Sequence, residues 1–338
     1  MSRITICYAA AMRKIAVEEA CWLPDIHSPG PPIKAAGRVF KQELLTEWAA
    51  KLSDFSEWRI ADMDAHGIDV QVLSLTNPGI QGEPDPRLAL ADARYANDRL
   101  AEVVRSHGPR YAAFAALPLQ DPQAAALELR RAVTELGLCG ALVNDHTLGR
   151  YLDERDYDVV WDELEALQVP LYIHPSPAVV DQWNVLAGRP ELLGPTYSWN
   201  VATSGHALRL IYGGVFERHP GARVILGHMG EFLPFWLARL DAAHKRMNPL
   251  EELTKLPSEY FAEHFLIATS GVNSTPVLMA ALQILGPERI LFAVDYPFES
   301  TADAVQFIDG APLSDSERAL ICHGNAERLL GIPPSPGQ

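Results

Sequence analysis

The sequence of 338 residues has few cysteines, no long apolar run and no excess of basic residues. Its four cysteines are scattered without a CxxC pair, which suits reduced thiols and a cytoplasmic location. No apolar stretch reaches the roughly 18 residues that a membrane-spanning helix needs. The formal net charge of −15 argues against a nucleic acid or an anionic membrane as partner. These absences leave a small molecule as the expected partner.

The sequence does contain a regular alternation of short apolar runs with amphipathic segments. The apolar runs predict buried strands at 15–20, 70–75, 112–118, 140–144, 169–174, 223–228, 265–270 and 290–295. Helical patterns lie at roughly 42–66, 86–107, 122–136, 154–167, 204–218, 232–245, 275–285 and 314–330. Strands that alternate with helices of this length predict βαβ units, and eight of them predict a closed (β/α)₈ TIM barrel of the α/β class. An open doubly wound sheet is the alternative, but no GxGxxG motif follows the first run.

Two connections of the predicted barrel are long. Residues 21–41 follow the first strand and are rich in proline and glycine, and residues 175–203 follow the fifth strand. Loops of this length in a compact domain are usually functional, so both are expected to roof a pocket. We expect residues 1–12 to be a disordered leader, residues 13–331 to form a single barrel domain, and residues 332–338 to be a proline-rich tail.

Four predicted strands end in a residue that can bind a metal or carry a proton. These strand ends carry Glu18, His174, His228 and Asp295. The carboxyl ends of parallel strands meet at one face of a barrel, and chemistry takes place there. A hydrogen-bonded core position is the simpler interpretation of any one of these residues. Four of them at corresponding positions favour one metal-centred active site.

The carboxylates and imidazoles at these strand ends form a mixed set of oxygen and nitrogen donors. Such a set suits one divalent metal ion, Mn²⁺, Mg²⁺ or Zn²⁺, and disfavours metals that select thiolate ligands. Three protein ligands would leave coordination positions open for water and substrate. We expect no organic cofactor.

Other polar residues can be interpreted either as structural or as functional. His66 ends a predicted helix, where a cation favours the helix dipole, so capping is favoured over catalysis. His206 follows the second long loop and is equally compatible with packing and with lining a pocket. Arg239 lies eight residues past Glu231 on the same helical face, where it could reach a substrate or partner-subunit carboxylate or form a surface salt bridge. Asn144 ends the fourth strand and could offer a hydrogen bond into the pocket.

Eight short segments of the chain together match one known family. They are VEEA at 17–20, DMDAHGI at 62–68, FAALPLQDP at 114–122, GALVN at 140–144, LYIHP at 171–175, GHMGE at 227–231, TSG at 269–271 and DYPFE at 295–299. In this combination the chain resembles the metal-dependent, non-oxidative aromatic acid decarboxylases of the amidohydrolase superfamily. Members of this family act on 2,3-dihydroxybenzoate, γ-resorcylate (2,6-dihydroxybenzoate), salicylate or 5-carboxyvanillate. The resemblance covers about residues 13–331.

The resemblance implies specific roles for individual residues. It implies that Glu18, His174 and Asp295 are metal ligands, and that Asp295 also protonates the ring carbon of the substrate. It implies that His228 and Glu231 form a catalytic hydrogen-bonding pair. The residues implied to contact the substrate are Arg239, Asn144, Thr76, Phe298 and Ala20. The resemblance also implies a homodimer or a homotetramer.

The segments differ in the branch of the family that they resemble. Some relatives, such as the γ-resorcylate enzymes, have histidine at the position of Ala20, which gives a fourth protein ligand. The Glu-x-Ala form resembles the 2,3-dihydroxybenzoate, salicylate and 5-carboxyvanillate enzymes. Residues 144–153 resemble the 5-carboxyvanillate branch, whereas residues 114–122 resemble the resorcylate branch. The identity of the substrate is therefore left open among these acids.

The expected function is reversible decarboxylation of an ortho-hydroxybenzoate by a carbon–carbon lyase. The main alternative is a metal-dependent hydrolase of a lactone, ester or amide, because a barrel with ligands at its strand ends also suits attack by a metal-bound hydroxide. Hydrolases of this superfamily usually carry His-x-His on the first strand, and this chain has Glu18-Glu19-Ala20 there. A non-catalytic barrel that binds a phenolic ligand would leave the metal-ligand set unexplained.

Overall fold

Eight parallel strands form the centre of the molecule, for which the computed structural model describes residues 12–28, 40–176 and 183–334. The strands are β1 Ile15–Cys21, β2 Val70–Leu75, β3 Tyr111–Ala113, β4 Ala141–Asn144, β5 Leu171–His174, β6 Val224–Leu226, β7 Phe265–Ala268 and β8 Ile290–Leu291. Each lies in or overlaps one of the predicted apolar runs. The third and eighth runs form shorter ladders than predicted, because their last residues leave the regular pairing as they approach the carboxyl end of the barrel.

The strands pair in sequence order and close into a barrel. β1, β2 and β3 form one ladder, and β4 to β8 form a second. Ala115, just past β3, bridges to Ala141 in β4, and Glu19 in β1 bridges to Tyr296, just past β8. Backbone hydrogen bonds cross both seams. The predicted (β/α)₈ barrel is confirmed.

Helices connect the strands around the outside of the barrel. They are α1 Gln42–Leu52, α2 Trp58–His66, α3 Pro86–Ser106, α4 Pro122–Thr134, α5 Asp158–Leu167, α6 Ser198–Tyr212, α7 Val215–Arg218, α8 Leu237–His244, α9 Pro257–His264, α10 Thr275–Leu285, α11 Thr301–Gly310, α12 Asp315–Ala319 and α13 Asn325–Leu330. The predicted helix at 42–66 is two helices, and α6 begins at residue 198, inside the predicted second loop. The sequence prediction missed α9 and α11. The N-cap of α11 is Ser300, whose hydroxyl accepts the N–H of Asp303.

Side chains on the two faces of a strand pack into two different apolar clusters. In β6, Ile225 packs inside the barrel with Tyr172 and Phe114. Its neighbours Val224 and Leu226 pack outward, in the larger cluster between the strands and the helices. The filled barrel interior leaves the polar strand ends as the place where a small molecule can bind.

The first and last described residues of the chain meet near the start of the barrel. Residues 1–11 of the predicted leader lie outside the described residues, and Met12 is partly buried against the core. Arg13 Nη1 donates a hydrogen bond of 2.8 Å to the carbonyl of Pro333 in the predicted tail. Parts of both predicted roofing loops, residues 29–39 and 177–182, also lie outside the described residues. Among the described residues, no helix is long and apolar enough to cross a bilayer.

Candidate active site and metal centre

Three of the predicted ligands converge at the carboxyl end of the barrel. Glu18, His174 and Asp295, which we call the barrel cluster, each offer one ligand atom, and these atoms lie within 4.8 Å of one another. Glu18 Oε1 is 3.7 Å from His174 Nε2. Glu18 Oε1 and Asp295 Oδ1 are both buried without a hydrogen-bond partner. A buried carboxylate oxygen without a partner is costly, and a divalent cation would satisfy both, so the residues present fit a metal ion.

His174 has the protonation state that a metal ligand requires. Its burial lowers the pKa of the imidazole to about 4, so the ring is neutral at neutral pH. Nδ1 donates a 2.7 Å hydrogen bond to the carbonyl of Pro175. This bond fixes the tautomer and leaves the lone pair of Nε2 directed towards Glu18.

The carboxylate of Glu18 is held in place by residues to which the sequence prediction gave no role. The hydroxyls of Tyr172 and Ser270 both donate to Glu18 Oε2. Gly227 lies against the same carboxylate, since a Cβ at this position would be 2.6 Å from Oε2 and 2.7 Å from Oε1. One oxygen is therefore fixed by hydroxyls, and the other remains available to a metal. Tyr172 lies two residues before His174 on β5, so strand periodicity places both on one face.

His228 and Glu231 form the predicted pair beside the barrel cluster. His228 Nδ1 donates a 2.7 Å hydrogen bond to Glu231 Oε1. The amide of Asn200, on α6, donates to Glu231 Oε2 at 2.9 Å. The other ring nitrogen of His228, Nε2, is 3.6 Å from Asp295 Oδ2 and 3.8 Å from Glu18 Oε1. The imidazole of His228 thus lies between the Glu231 carboxylate and the barrel cluster. The sequence prediction did not include Asn200.

The backbone at these strand ends adopts a conformation that non-glycine residues rarely take. Positive φ angles occur at His228 (49°), Met229 (56°), Glu231 (52°), Phe232 (60°) and Asp295 (73°). Such angles cost free energy and persist where the surrounding structure enforces them, often at active sites. Five of them after β6 and β8 indicate that the backbone of this face is held in place to position side chains.

Burial shifts the pKa values of Asp295 and Glu231 upward. Burial raises the pKa of Asp295 to about 7, the nearby imidazole of His228 opposes this effect, and the charge of Glu18 adds to it. Burial also raises the pKa of Glu231, against the influence of His228. Burial alone would lower the pKa of His228, but the carboxylates of Glu18 and Glu231 raise it well above its usual value. A bound cation would favour the Asp295 carboxylate and lower its pKa.

A buried glutamate and a buried arginine brace the segment around Asp295. Glu19 accepts the backbone N–H groups on both sides of Asp295, at 3.0 and 3.3 Å. The guanidinium of Arg59 donates to the carbonyl of Ala20 at 2.7 Å and lies 4.4 Å from the ring centroid of Tyr296. These contacts tie the end of β1 to the end of β8. The resemblance gave no role to either residue.

Four of the five predicted substrate contacts lie at this end of the barrel. Asn144 is buried in register with His174, and its Oδ1 has no hydrogen-bond partner. Thr76 is buried one residue past β2, and Ala20 is buried in β1. The ring of Phe298 packs edge-on against Trp48 with centroids 5.3 Å apart. Their roles towards a substrate stay predictions.

The remaining polar candidates are placed elsewhere. Arg239 is exposed on α8 and forms no ion pair among the described residues. His206 is buried, with Nδ1 donating to Asp145 Oδ1 at 2.9 Å and Nε2 accepting the N–H of Leu152. Both ring nitrogens of His206 are therefore satisfied by packing partners. His66 ends α2 and donates to a carbonyl one turn earlier, as a helix cap does.

The chain matches the amidohydrolase family model over residues 25–332. It belongs to the amidohydrolase family. Within this family, a γ-resorcylate decarboxylase from Rhodococcus jostii is 41% identical over 330 residues, which cover 94% of this chain and 98% of the relative.

Two solved structures extend the likeness to the fold. A 2,6-dihydroxybenzoate decarboxylase in complex with 2,6-dihydroxybenzoate has a TM-score of 0.88 and 38% identity, covering 95% of this chain and 99% of that one. A dihydroxybenzoic acid decarboxylase from Polaromonas sp. JS666, with bound manganese and the inhibitor 2-nitroresorcinol, has a TM-score of 0.87 and 36% identity, covering 95% and 97%. These amidohydrolase relatives are carboxy-lyases. The predicted enzyme class and the family resemblance are confirmed.

Proposed function

We propose that the protein catalyses the metal-dependent, reversible, non-oxidative decarboxylation of a 2-hydroxybenzoate, with 2,6-dihydroxybenzoate as the favoured substrate. The observation that carries the proposal is the barrel cluster, whose two unpartnered carboxylate oxygens lie beside the His228–Glu231 pair. The relatives that act on 2,6-dihydroxybenzoate support this choice among the hydroxybenzoates.

Glu18 Oε1, His174 Nε2 and an Asp295 oxygen would hold one divalent ion. Manganese is the first choice because a related structure contains it, and Mg²⁺ and Zn²⁺ suit the same donors. When bound, the ion supplies positive charge and a template for the carboxylate and ortho oxygen of the substrate. No organic cofactor is required, because the ortho oxygen itself feeds electrons into the ring.

The order of bond changes follows from the chemistry of the ring. Direct loss of CO₂ from a benzoate would leave a carbanion whose lone pair lies in the ring plane, outside the π system. Protonation of the carboxyl-bearing carbon avoids this carbanion, and the electron pair of the broken C–C bond then restores the aromatic ring. Asp295 is the proposed proton donor. Its Oδ2 lies beside Nε2 of His228, from which it can take up the proton.

His228 and Glu231 would manage the proton supply to Asp295. Nε2 of His228 lies 3.6 Å from Asp295 Oδ2, close enough for a small movement to form a hydrogen bond. Glu231 holds the opposite nitrogen at 2.7 Å and stabilises the imidazolium. The net reaction consumes one proton and one hydroxybenzoate anion and yields one CO₂ and one phenol, so mass action sets its direction.

The remaining predicted residues are proposed to surround the ring. Asn144 Oδ1 would accept a hydrogen bond from a ring hydroxyl, Thr76 and Phe298 would line the ring, and the small Ala20 would leave room beside the metal. Arg239 is exposed and without an ion-pair partner among the described residues. We propose that it contacts the substrate or a carboxylate of a partner subunit, in a homodimer or homotetramer.

We also propose a cytoplasmic location. Cys21, Cys139 and Cys322 are buried and unpaired, and burial raises the pKa of each thiol to about 12. Buried thiols with a raised pKa are unreactive, and unpaired thiols need no oxidising compartment.

A substrate panel tests the proposed function. We expect CO₂ release from 2,6-dihydroxybenzoate, and more slowly from 2,3-dihydroxybenzoate, salicylate or 5-carboxyvanillate, but none from benzoate or 4-hydroxybenzoate. Resorcinol with concentrated bicarbonate should give the acid in the reverse direction. Turnover of 4-hydroxybenzoate as fast as salicylate would rule out the chelate with an ortho oxygen. Preferential turnover of a lactone would assign the enzyme to the hydrolases instead.

A further inference from the structure

A second group of one histidine and two carboxylates lies on the outside of the barrel. Asp162 and Glu165 are on α5, and His219 follows α7 directly. We call these three residues the helix-face cluster. Both α5 and α7 lead into the amino ends of the next strands, β5 and β6, whereas the barrel cluster lies at the carboxyl ends. The helix-face cluster is therefore separate from the proposed catalytic site.

The donor atoms of the helix-face cluster have the spacing of ligands around one small cation. His219 Nδ1 is 3.3 Å from Asp162 Oδ1 and 3.4 Å from Glu165 Oε2. All three donor atoms lie within 4.8 Å of one another. Two ligands about 2.0–2.1 Å from a tetrahedral Zn²⁺ are about 3.4 Å apart. The observed separations match this value.

The imidazole of His219 gives an independent indication of a ligand. The residue is 3% exposed, and neither ring nitrogen makes a hydrogen bond. Nε2 is 3.4 Å from Asp158 Oδ1, but that carboxylate already accepts bonds of 2.9 and 3.0 Å from Arg218. Buried polar groups in folded proteins are almost always satisfied. A ring whose Nδ1 points between two carboxylates without bonding to either is well arranged to bind a cation.

The carboxylates of the cluster carry an uncompensated charge. Asp162 and Glu165 are one turn apart and share a face of α5 with Asp158. Arg218 neutralises Asp158, but Asp162 and Glu165 pair with no lysine or arginine among the described residues. Glu165 Oε1 accepts the N–H of Gly221, which orients the group and leaves Oε2 for a ligand. Two neighbouring negative charges match one divalent cation.

We propose that the helix-face cluster is a structural site for a divalent cation, Zn²⁺ for preference, bound by His219 Nδ1, Asp162 Oδ1 and Glu165 Oε2. One imidazole and two carboxylates are a donor set that zinc accepts in tetrahedral geometry, with water as the fourth ligand. The side chain of Asp162 is 73% exposed, so the ion can enter from solvent. The ion ties α5 to the segment between α7 and β6 and takes no part in the reaction.

Zinc binding by the full-length chain tests this site apart from the catalytic one. In a metal-stripped His174→Ala background, equilibrium dialysis against Zn²⁺ should give one tightly bound equivalent. Adding His219→Gln should remove that equivalent, whereas adding Glu135→Gln, which changes an exposed carboxylate directly after the neighbouring α4, should not. At a hundredfold excess of Zn²⁺ over Kd, the melting temperature of His174→Ala should rise by about 5 °C, and that of the double variant should not.

The experiment has outcomes that overturn the site. If the double variant binds as much Zn²⁺ as its parent, or if the parent binds none, His219 is a buried base held by its acidic neighbours and the proposal is wrong. Should His219→Gln fail to fold, Asp162→Asn makes the same test at an exposed position, with Zn²⁺ affinity expected to fall at least tenfold. None of these measurements depends on decarboxylase activity, so failure of the proposed function would leave the test intact.

Discussion

The two clusters contain the same three chemical groups but differ in how the chain builds them. The barrel cluster takes its residues from β1, β5 and the end of the β8 run, which are up to 277 positions apart in the sequence, as Glu18 and Asp295 are. The helix-face cluster takes two residues from α5 and one residue from the position directly after α7. Two hydroxyls hold the Glu18 carboxylate, and the imidazole of His228 lies 3.6 Å from the buried carboxylate of Asp295. The side chain of Asp162, in contrast, lies largely in solvent.

This difference agrees with the roles proposed for the two clusters, a catalytic metal site in the barrel and a structural metal site on the helices. Among the described residues, positive φ angles and strongly raised carboxyl pKa values occur together at the barrel cluster and its neighbours. The three residues of the helix-face cluster have no positive φ. Burial in a low-dielectric interior strengthens interactions between charges, so proton transfer can be tuned there. The helix-face cluster is open to solvent at Asp162, where water screens the charges, and it is better suited to a structural ion.

Loss of a barrel-cluster ligand should have the largest effect. His174→Ala removes the neutral nitrogen donor, so we expect loss of the active-site metal and a fall in turnover on the order of 10³-fold or more. Metal analysis and CO₂ release with 2,6-dihydroxybenzoate measure both quantities. The matched change at the other cluster, His219→Gln, should leave turnover within about twofold. Equal activity in His174→Ala and the wild type would remove the catalytic role of the barrel cluster.

Changes in the proton-handling pair should have the next largest effect. His228→Asn and Glu231→Gln each remove a positioned proton carrier without removing a metal ligand. We expect metal content to stay at the wild-type level while kcat falls by about 10²–10⁴-fold. Steady-state kinetics together with metal analysis make the distinction. A variant that keeps near wild-type kcat would show that the residue is structural.

A methyl group added against Glu18 should have a smaller but clear effect. In Gly227→Ala the new Cβ would lie 2.6–2.9 Å from the carboxylate atoms of Glu18, so the carboxylate must shift. A displacement of about 1 Å at a reacting centre can cost about 10²-fold in rate, and we expect a loss of that size with weaker metal binding.

Gly205→Ala is the matched control for this change. Gly205 lies within α6, and a Cβ there would meet no atom within 4 Å. Alanine in a helix interior is more favourable than glycine, by roughly 0.5–1 kcal/mol, so this variant should be active and slightly more stable. If Gly227→Ala keeps full activity, the close approach to Glu18 does not set the geometry of the site.

The sequence was sufficient to predict the barrel and the convergence of Glu18, His174 and Asp295, because each of them ends an apolar run. His174 ends β5, Glu18 follows the apolar residues 15–17 within β1, and Asp295 follows the apolar residues 290–294, and such positions meet at the carboxyl end of a parallel barrel. The groups that position them could not be found in the same way. Ser270, Asn200 and Gly227 act on side chains that are distant in sequence, and no local pattern indicates which hydroxyl, amide or glycine will face a given carboxylate.

Local irregularities of the backbone are also not predicted by the periodicity of hydrophobic residues. β1 contains an extra residue relative to β2, because Ala16 pairs with Gln71 but Glu19 pairs with Leu73. Such a bulge redirects side chains beside an active site, and strict alternation cannot predict it. Burial is equally hard to predict at a helix end. The position of His219 directly after α7 is typical of a surface residue, but packing against α5 buries it.

The smallest expected effect comes from Asp162→Asn, and its sign should depend on metal. In the presence of a chelator, the substitution removes repulsion between carboxylates on one face of α5. We therefore expect the free energy of unfolding to rise by about 0.2–0.5 kcal/mol. With Zn²⁺ present, the same substitution removes a ligand, so the variant should be less stable than the wild type. Urea unfolding with chelator and with Zn²⁺ measures both differences, with Glu135→Gln as a control that should not change sign. A stability difference of one sign in both conditions would mean that the helix-face cluster does not bind the ion. In that case the contrast between a catalytic and a structural metal site would fail, and only the barrel cluster would remain as a metal centre.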